Sequence, residues 1–325
     1  MSDLPKSVEI CEKGPREGLQ IEPNPIPTES KIALIDALTD TGLRQIQIIS
    51  FVNPGRVPGW ADAEEVVKGF TPHPGVRYYP LWLNEKGLKR ALQYKDRLSF
   101  NEAILVSASE PFLIRNQNSD QAGNARRQIN MVRLLTENGI YPESALVQAA
   151  FGCNFSGDIP TSRLIDTIKH AFDIADETGI VLRRVGLNDT MAWATPETVK
   201  RAVGAVRERW PGLKITLHFH NTRGLGIANA YAGLEMGVDS YDASVGGLGG
   251  CPFAGHRGAA GNVCTEDLVF LCQELGIETG IDLDRLIETA RLAETIVGHP
   301  LPGSVMRGLP LAGLRRKAVT EALSS

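Results

Sequence analysis

Short apolar runs alternate along the chain with longer stretches in which apolar residues recur at helical spacing. The short runs predict eight strands, at 8–11, 45–50, 77–82, 102–108, 145–151, 182–187, 214–220 and 240–245. The longer stretches predict helices, among them 28–42, 160–179 and 195–212. Each of these three opens on Thr or Pro and closes on Gly, as helix caps do. Regular alternation of this kind indicates parallel strands joined by crossover helices.

Eight strand and helix units over roughly 250 residues favour a closed (β/α)8 TIM barrel over an open doubly wound sheet. No glycine-rich phosphate fingerprint follows the first strand, which counts against the open sheet. We expect the barrel at about 7–265 and additional C-terminal helices at about 266–325, drawn from the helical patterns at 265–276, 282–298 and 314–323. Because no linker rich in Pro, Gly or Ser divides the chain, residues 1–325 are predicted to form a single domain.

Composition narrows the classes of partner. The 325 residues carry a formal net charge of -4, which gives no general attraction for nucleic acid or an anionic membrane. No apolar run approaches the roughly 20 residues that span a bilayer, and no signal-like segment opens the chain, so no membrane contact and a cytoplasmic location are expected. The five cysteines are odd in number, form no CxxC pair and are expected to be reduced: Cys11, Cys153, Cys251, Cys264 and Cys272.

The stretch ITLHFHNTRGLG (215–226) places two histidines at the end of a predicted strand. Residues i and i+2 of a strand share a face, so His218 and His220 point the same way. On the seventh strand of a barrel that face is the interior, and the carboxyl end is where active sites of this fold lie. Two neutral imidazoles there are good metal ligands. The alternative is a pair of buried histidines satisfied by ordinary hydrogen bonds.

Two further stretches carry candidate chemistry. Arg16 and Glu17 are expected in a short loop after the first strand, where they suit an anion and a metal, or else form a solvated surface ion pair. The glycine-rich stretch 244–268 follows the last strand and contains Cys251, a candidate acid or nucleophile, and Asn262, a candidate oxygen ligand. The alternative is a flexible surface loop with an incidental cysteine. Together with the two histidines, these stretches favour a metal site.

At these residues the chain resembles the 3-hydroxy-3-methylglutaryl-CoA lyase group of the DRE-TIM metallolyases. The matching stretches occur in the family's order: GPREGLQ (14–20), SFVNPGRVP (50–58), LNDT (187–190), LHFHNTRG (217–224), GLGGCPFA (247–254) and GAAGNVCTEDL (258–268). They cover the barrel from the first strand to beyond the eighth. The resemblance implies one divalent cation with four protein ligands, namely Glu17, His218, His220 and Asn262. This oxygen-rich set favours Mg or Mn, with Zn or iron as alternatives.

The resemblance also implies an activity, the retro-Claisen cleavage of a 3-hydroxyacyl-CoA to acetyl-CoA and a keto acid. Arg16 would stabilise the developing negative charge, and Cys251 would be the catalytic thiol that protonates the enolate. Asp189 matches an acidic position at the end of the sixth strand and would orient the site or take a proton. Gln47 stands on the second strand where the lyases carry a Glu tied to catalysis. Three loop residues are expected to contact coenzyme A: Arg56, Arg115 and Asn116. A homodimer or higher homo-oligomer is expected.

The chain departs from the family pattern at several positions. Glu17 replaces Asp, Asn221 replaces Asp, Arg223 replaces Tyr and, in a less secure alignment, Arg184 replaces Glu, while the loop after Cys251 is about two residues longer and includes His256 and Arg257. Most of these changes, with Gln47, remove negative or add positive charge. We therefore hypothesise a substrate related to 3-hydroxy-3-methylglutaryl-CoA, with an acid group that is more anionic or differently placed.

Three other functions remain as alternatives. Claisen-condensing synthases of the same family usually append a C-terminal regulatory domain, for which the chain after the barrel is too short. Metal-dependent hydrolase barrels also use an HxH pair, but on the first strand rather than the seventh. A barrel that has lost catalysis and only binds ligands is disfavoured because Arg16, both histidines, Cys251 and Asn262 are all present.

Overall fold

Eight parallel strands form one sheet that curls into a barrel. In the computed structural model, which describes residues 4–100, 102–250, 261–308, 311 and 314–315, they are β1 (Glu9–Glu12), β2 (Gln45–Ser50), β3 (Arg77–Leu81), β4 (Glu102–Ser107), β5 (Ser144–Gln148), β6 (Arg184–Asp189), β7 (Lys214–Phe219) and β8 (Ser240–Ala243). Their spatial order is β3-β2-β1-β8-β7-β6-β5-β4. The segment entering β4 meets β3 through a hydrogen bond from the Ser99 amide to the Tyr78 carbonyl at 2.8 Å. The predicted TIM barrel is confirmed.

Helices follow the strands around the outside. They are α1 (Gly14–Gln20), α2 (Thr28–Thr39), α3 (Ala63–Gly69), α4 (Glu85–Ala91), α5 (Glu110–Gln117), α6 (Gln121–Glu137), α7 (Thr161–Thr178), α8 (Pro196–Arg209), α9 (Gly226–Glu235), α10 (Thr265–Glu274) and α11 (Leu283–Val297). The pairs Gly152–Cys153 and Gly157–Asp158 form a small antiparallel hairpin after β5. The helices predicted at 28–42, 160–179 and 195–212 are present, and most of the basic tail at 314–323 lies outside the described residues.

Apolar side chains fill the space between sheet and helices. On α2, Leu34, Ile35 and Leu38 are fully buried, and each contributes about 1.5–3 kcal/mol by leaving water. The same apolar cluster extends from Val8 to Met306, so α10 and α11 contribute to the core of the barrel.

The lumen of the barrel is polar along β7 and β8. The Tyr241 hydroxyl donates to the Ala230 carbonyl of α9 at 3.2 Å, so this side chain faces outward. Its neighbours Ser240 and Asp242 therefore face the lumen, because side chains alternate along a strand. Asp242 is in register with His218 on β7. The lumen thus carries hydrogen-bonding groups from the amino end of the strands to the carboxyl end.

Two buried carboxyl groups lie where β1, β8 and α10 meet. Glu12 accepts hydrogen bonds from the Gly14 and Val245 amides at 2.6 and 2.9 Å and from the Thr265 hydroxyl at 2.5 Å. Glu266 accepts one from the Gly246 amide at 2.9 Å. Burial outweighs these bonds and raises the pKa of Glu12 to about 7 and the pKa of Glu266 to about 8. Their protonated forms are therefore favoured by folding.

We expect stability to depend on pH through these two groups. Because both pKa values in the folded protein lie above the ordinary value of 4.5, the stabilisation is complete below about pH 4.5 and is lost as the pH rises through 7 to 8. Glu266→Gln should reduce the loss of unfolding free energy between pH 6 and pH 9 by roughly 1–3 kcal/mol. Denaturant unfolding across that range measures it.

Glu137→Gln, at an exposed position on α6, is the matched control and should follow the wild-type pH profile. Parallel profiles for the wild type and Glu266→Gln would show that Glu266 does not contribute.

Candidate active site

The first part of the site comes from α1, which begins directly after β1. The short loop predicted for Arg16 and Glu17 is instead a seven-residue helix, because Pro15 occupies its first turn, where a missing amide hydrogen costs nothing. Arg16 donates from Nη2 to Glu17 Oε1 at 2.5 Å and from Nε to Gln47 Oε1 at 2.6 Å. The side chains of Arg16 and Glu17 are only 14% and 19% exposed, so this ion pair is held in one arrangement rather than solvated.

The HxH histidines lie at the carboxyl end of β7, as predicted. His218 Nδ1 is 3.1 Å from Asp242 Oδ2, and His220 Nδ1 is 2.9 Å from the Asp189 carbonyl oxygen. A ring nitrogen that donates to a carboxylate or carbonyl leaves the other nitrogen as the acceptor. Both Nε2 atoms are therefore available to a ligand, and His218 Nε2 lies 4.0 Å from Glu17 Oε2.

Asn262 reaches the histidines through a short strand-like pairing. The Asn221 amide donates to the Gly261 carbonyl at 2.7 Å, and the Val263 amide donates to the Phe219 carbonyl at 3.0 Å. This pairing places Asn262 opposite His220. Its Nδ2 donates to Glu17, while its buried Oδ1 has no partner among the described residues. A buried oxygen that is free in this way can accept a further ligand.

Side chains from three separate parts of the chain therefore meet at one point. One ligand atom each from Glu17, His218 and His220 lies within 4.8 Å of the others, and the two imidazole centroids are 5.1 Å apart. With the free oxygen of Asn262, the set comprises a carboxylate, two imidazoles and an amide oxygen. These donors suit a divalent cation, so the residues present fit a metal.

The electrostatics favour the ligating forms of Glu17 and His220 but the protonated form of His218. Burial acts to raise the pKa of Glu17, but the neighbouring Arg16 and the histidines more than offset it and hold that pKa well below its usual range. Burial, with repulsion from His218, lowers the pKa of His220 to about 4, so this ring is neutral at pH 7. For His218, burial acts to lower the pKa, but the carboxylates of Glu17 and Asp242 outweigh it and raise the pKa above its ordinary value.

Asp189 ends β6 beside the two histidines. Its Oδ1 accepts hydrogen bonds from the Trp193 and Ala194 amides at 2.7 and 3.0 Å, while its Oδ2 is buried without a partner in the described part of the chain. Burial, only partly opposed by those amides, raises the pKa of Asp189 to about 7. The carboxyl group is thus fixed in place, with one oxygen left for another molecule.

Arg184 and Arg223 led us to expect a more anionic substrate, but in the structure neither side chain is placed to bind one beside the histidines. Arg184 lies at the start of β6, at the opposite end of the barrel from the histidines, and donates to Thr216 and Ser240. Arg223 is held against the protein, since its Nη1 donates to the Met191 and Ala192 carbonyls at 3.0 and 2.8 Å.

Asn221 has a structural role as well. Its Oδ1 accepts a hydrogen bond from the Gly226 amide at 2.8 Å and so satisfies the first turn of α9.

Ala192, which Arg223 binds, adopts a φ of +56°, a conformation that is costly for a residue with a side chain. The two hydrogen bonds from Arg223 therefore fasten a strained turn directly after Asp189. The inference of a more anionic substrate loses its main support.

The remaining predicted residues are not gathered with the candidate metal ligands. Arg56 lies in an exposed turn after β2, and Arg115 and Asn116 lie on the exposed face of α5. The Arg115 guanidinium stacks 4.3 Å from the centre of the Phe155 ring. Cys251, with His256 and Arg257, lies outside the described residues.

Two buried residues beside the candidate ligands, Asp242 and Lys13, were not predicted from the sequence. Asp242 lies between His218 and Lys13, whose Nζ is 3.6 Å from Asp242 Oδ1, and both side chains are buried. A signal was available for Asp242, because an acidic residue inside an otherwise apolar strand must find a partner.

The fold and the site together define a (β/α)8 barrel enzyme with a candidate divalent-metal site at the carboxyl ends of the strands. The family model described as HMGL-like matches residues 7–293, and the chain belongs to this family of carbon–carbon lyases. It is 37% identical to the hydroxymethylglutaryl-CoA lyase of Bacillus subtilis over 92% of this chain and 96% of the relative.

Solved structures agree with the assignment. The chain is similar to the hydroxymethylglutaryl-CoA lyase of Pseudomonas aeruginosa, with a TM-score of 0.86 and 33% identity over 96% of this chain and 99% of the other. It is also similar to a lyase from Acinetobacter baumannii in complex with coenzyme A and 3-methylmalate, with a TM-score of 0.82 and 38% identity over 95% and 96% of the two chains. Within the described residues, no helix combines the length and apolarity needed to cross a membrane.

We expect His220→Ala to weaken the binding of Mn²⁺ by more than about tenfold, because a neutral imidazole ligand is lost from the set. Titration of the purified protein with Mn²⁺, followed by electron paramagnetic resonance, measures the affinity and the number of sites. His73→Ala, which removes an exposed histidine between α3 and β3, should bind like the wild type. Wild-type affinity in His220→Ala would remove His220 from the site.

Proposed function

We propose that the protein cleaves 3-hydroxy-3-methylglutaryl-CoA to acetyl-CoA and a keto acid, using one divalent cation. The observation that carries this proposal is the meeting of Glu17, His218, His220 and the free Asn262 oxygen beside a fixed guanidinium, that of Arg16. The similar lyases named above act on this thioester by name, and one of them binds coenzyme A.

Mg²⁺ or Mn²⁺ is the ion that the donor set supports best. Carboxylate and amide oxygens are hard ligands, and two imidazoles are compatible with either ion. When bound, such an ion supplies a Lewis acid that makes the 3-hydroxyl of the substrate easier to deprotonate.

Arg16 supplies positive charge where negative charge develops. Its Nε is held by Gln47 and its Nη2 by Glu17, so the guanidinium is oriented before substrate arrives. Gln47 therefore acts as a positioning residue where the family carries a Glu, and its neutral amide does not offset the positive charge of Arg16. A fixed donor of this kind stabilises an enolate oxygen without reorganisation during the reaction.

Proton transfers on both sides of the bond cleavage complete the reaction. We assign the 3-hydroxyl proton to the unpartnered Oδ2 of Asp189. When the carbon–carbon bond breaks, its electron pair remains on the acetyl-CoA carbon as an enolate, and the hydroxyl oxygen becomes the carbonyl of the keto acid. Cys251 then gives a proton to the enolate carbon, which completes acetyl-CoA.

The assignment of Cys251 is supported by the other thiols. The four cysteines among the described residues are all buried: Cys11, Cys153, Cys264 and Cys272. Burial raises the pKa of Cys272 to about 12 and that of Cys264 further still, so these thiols are poor acids for an exchange with substrate.

The contacts of the protein with coenzyme A are also proposed. We assign coenzyme A to the rim that carries Arg56, Arg115 and Asn116, because these exposed side chains follow β2 and β4 at the carboxyl ends of the strands. The homo-oligomer expected from the sequence stays a prediction.

A substrate panel tests the function. With Mg²⁺ present, release of acetyl-CoA should be fastest from 3-hydroxy-3-methylglutaryl-CoA, and kcat/KM for 3-hydroxybutyryl-CoA, which lacks the distal carboxylate, should be lower by at least about a hundredfold. Treatment with EDTA should abolish cleavage, and added Mg²⁺ should restore it. A higher kcat/KM for another thioester would overturn the proposed substrate.

Cys251→Ala should lower kcat by at least about a hundredfold, because general acid catalysis is lost. Binding of Mn²⁺ should be unchanged, which separates loss of the proton donor from loss of the metal. Cys272→Ala is the control for a buried thiol and should retain activity in the fraction that folds. Full activity in Cys251→Ala would require a different proton donor.

A further inference from the structure

A second cavity lies at the amino ends of the barrel strands, opposite the candidate active site. Its volume is about 520 Å³, and it extends inward as far as Cys11 and Asp242. A volume of this size is typical of sites for small molecules. The proposed reaction leaves this cavity without a role.

Positive charge is concentrated around the cavity. Four basic side chains line it, those of Arg77, Arg183, Arg184 and Lys214, with two acidic ones, those of Glu143 and Asp242. This sign is opposite to the formal net charge of -4 carried by the whole chain. The cavity is therefore a local site for negative charge.

The acidic side chains are already engaged. Asp242 lies against His218 and Lys13, and Glu143 lies 3.6 Å from Arg183. In the part of the chain that the structure describes, no carboxylate lies within 4.0 Å of the charged groups of Arg77 and Lys214. These two cations are free to meet a ligand.

Arg184 forms a fixed part of the cavity wall. Its Nη1 donates to the Ser240 and Thr216 hydroxyls at 2.7 and 3.2 Å, and those hydroxyls lie 2.9 Å apart. Its Nη2 makes only a long contact of 3.5 Å with Glu9. The guanidinium is thus oriented mainly by two neutral hydroxyls, and the carboxylate that pairs with it, that of Glu9, is itself 57% exposed and offsets its charge only weakly. A guanidinium fixed in this way presents a planar set of donors to an oxyanion.

We propose that this cavity binds a small multivalent anion, a phosphate or a compact dicarboxylate, through Arg184, Arg77 and Lys214. The ligand is distinct from the substrate of the proposed function, because it enters from the opposite end of the barrel. The site is specific to a chain with Arg at position 184, since a glutamate there would repel the same ligand.

Isothermal titration of the Mg²⁺-loaded protein with inorganic phosphate, and separately with succinate, tests the proposal at constant ionic strength. We expect saturable binding of at least one of the two at one site per chain. Arg184→Gln should weaken it by at least about tenfold and Arg184→Glu should abolish it, because a charge-assisted hydrogen bond is lost or replaced by repulsion. The preferred anion identifies phosphate or carboxylate as the group that the site binds.

Two control variants locate the site. Arg133→Gln removes an arginine paired with Glu177 on the outer surface and should bind the anion like the wild type. Arg16→Gln removes the cation at the other end of the barrel and should also retain anion binding. Loss of binding in Arg16→Gln with retention in Arg184→Gln would place the anion in the active site and overturn the proposal.

A further variant tests anion binding without changing Arg184. If the Arg184 variants do not fold, as judged by circular dichroism, the double variant with Arg77→Gln and Lys214→Gln changes only exposed side chains and should weaken binding by at least about tenfold. The absence of saturable binding in the wild type, or wild-type binding in the variants, would overturn the proposal.

Discussion

The site depends on one largely buried negative charge, that of Glu17, whose side chain is 19% exposed. A carboxylate away from water is costly unless opposite charge and hydrogen-bond donors surround it. Here Arg16 precedes it on α1, Asn262 approaches from beyond β8, and His218 lies at the end of β7. These partners are adjacent only when the barrel is closed and the segment that carries Asn262 pairs with the end of β7. Folding and assembly of the candidate metal site are therefore linked.

A second layer of side chains fixes the ligands. Asp242 orients His218 and is itself balanced by Lys13, while the backbone of Asp189 orients His220. Because each imidazole uses Nδ1 for this contact, both present Nε2 to the site. The strained turn at Ala192, bound by Arg223, follows directly after Asp189, whose carbonyl contacts His220.

Charge alone was a poor guide to the role of individual residues. From the resemblance, Arg184, Arg223 and Gln47 were all expected to differ from the family pattern in the same direction, yet the structure gives them three different roles. Arg184 lines a cavity at the amino end, Arg223 fastens a turn, and Gln47 orients Arg16. The sequence places these residues on a strand or after one, but the distance along a strand decides which mouth of the barrel a side chain reaches.

The sequence by itself determined the barrel, because period-two and helical patterns depend on neighbours close in the chain. It also determined the HxH pair, since two side chains two residues apart on a strand must share a face. Only the tertiary structure decided that Arg16 and Glu17 lie on a helix, that Asp242 supports His218, and that Asn262 lies opposite His220. These contacts join segments far apart in the chain, so they exist only once closure of the sheet has brought the strand ends together.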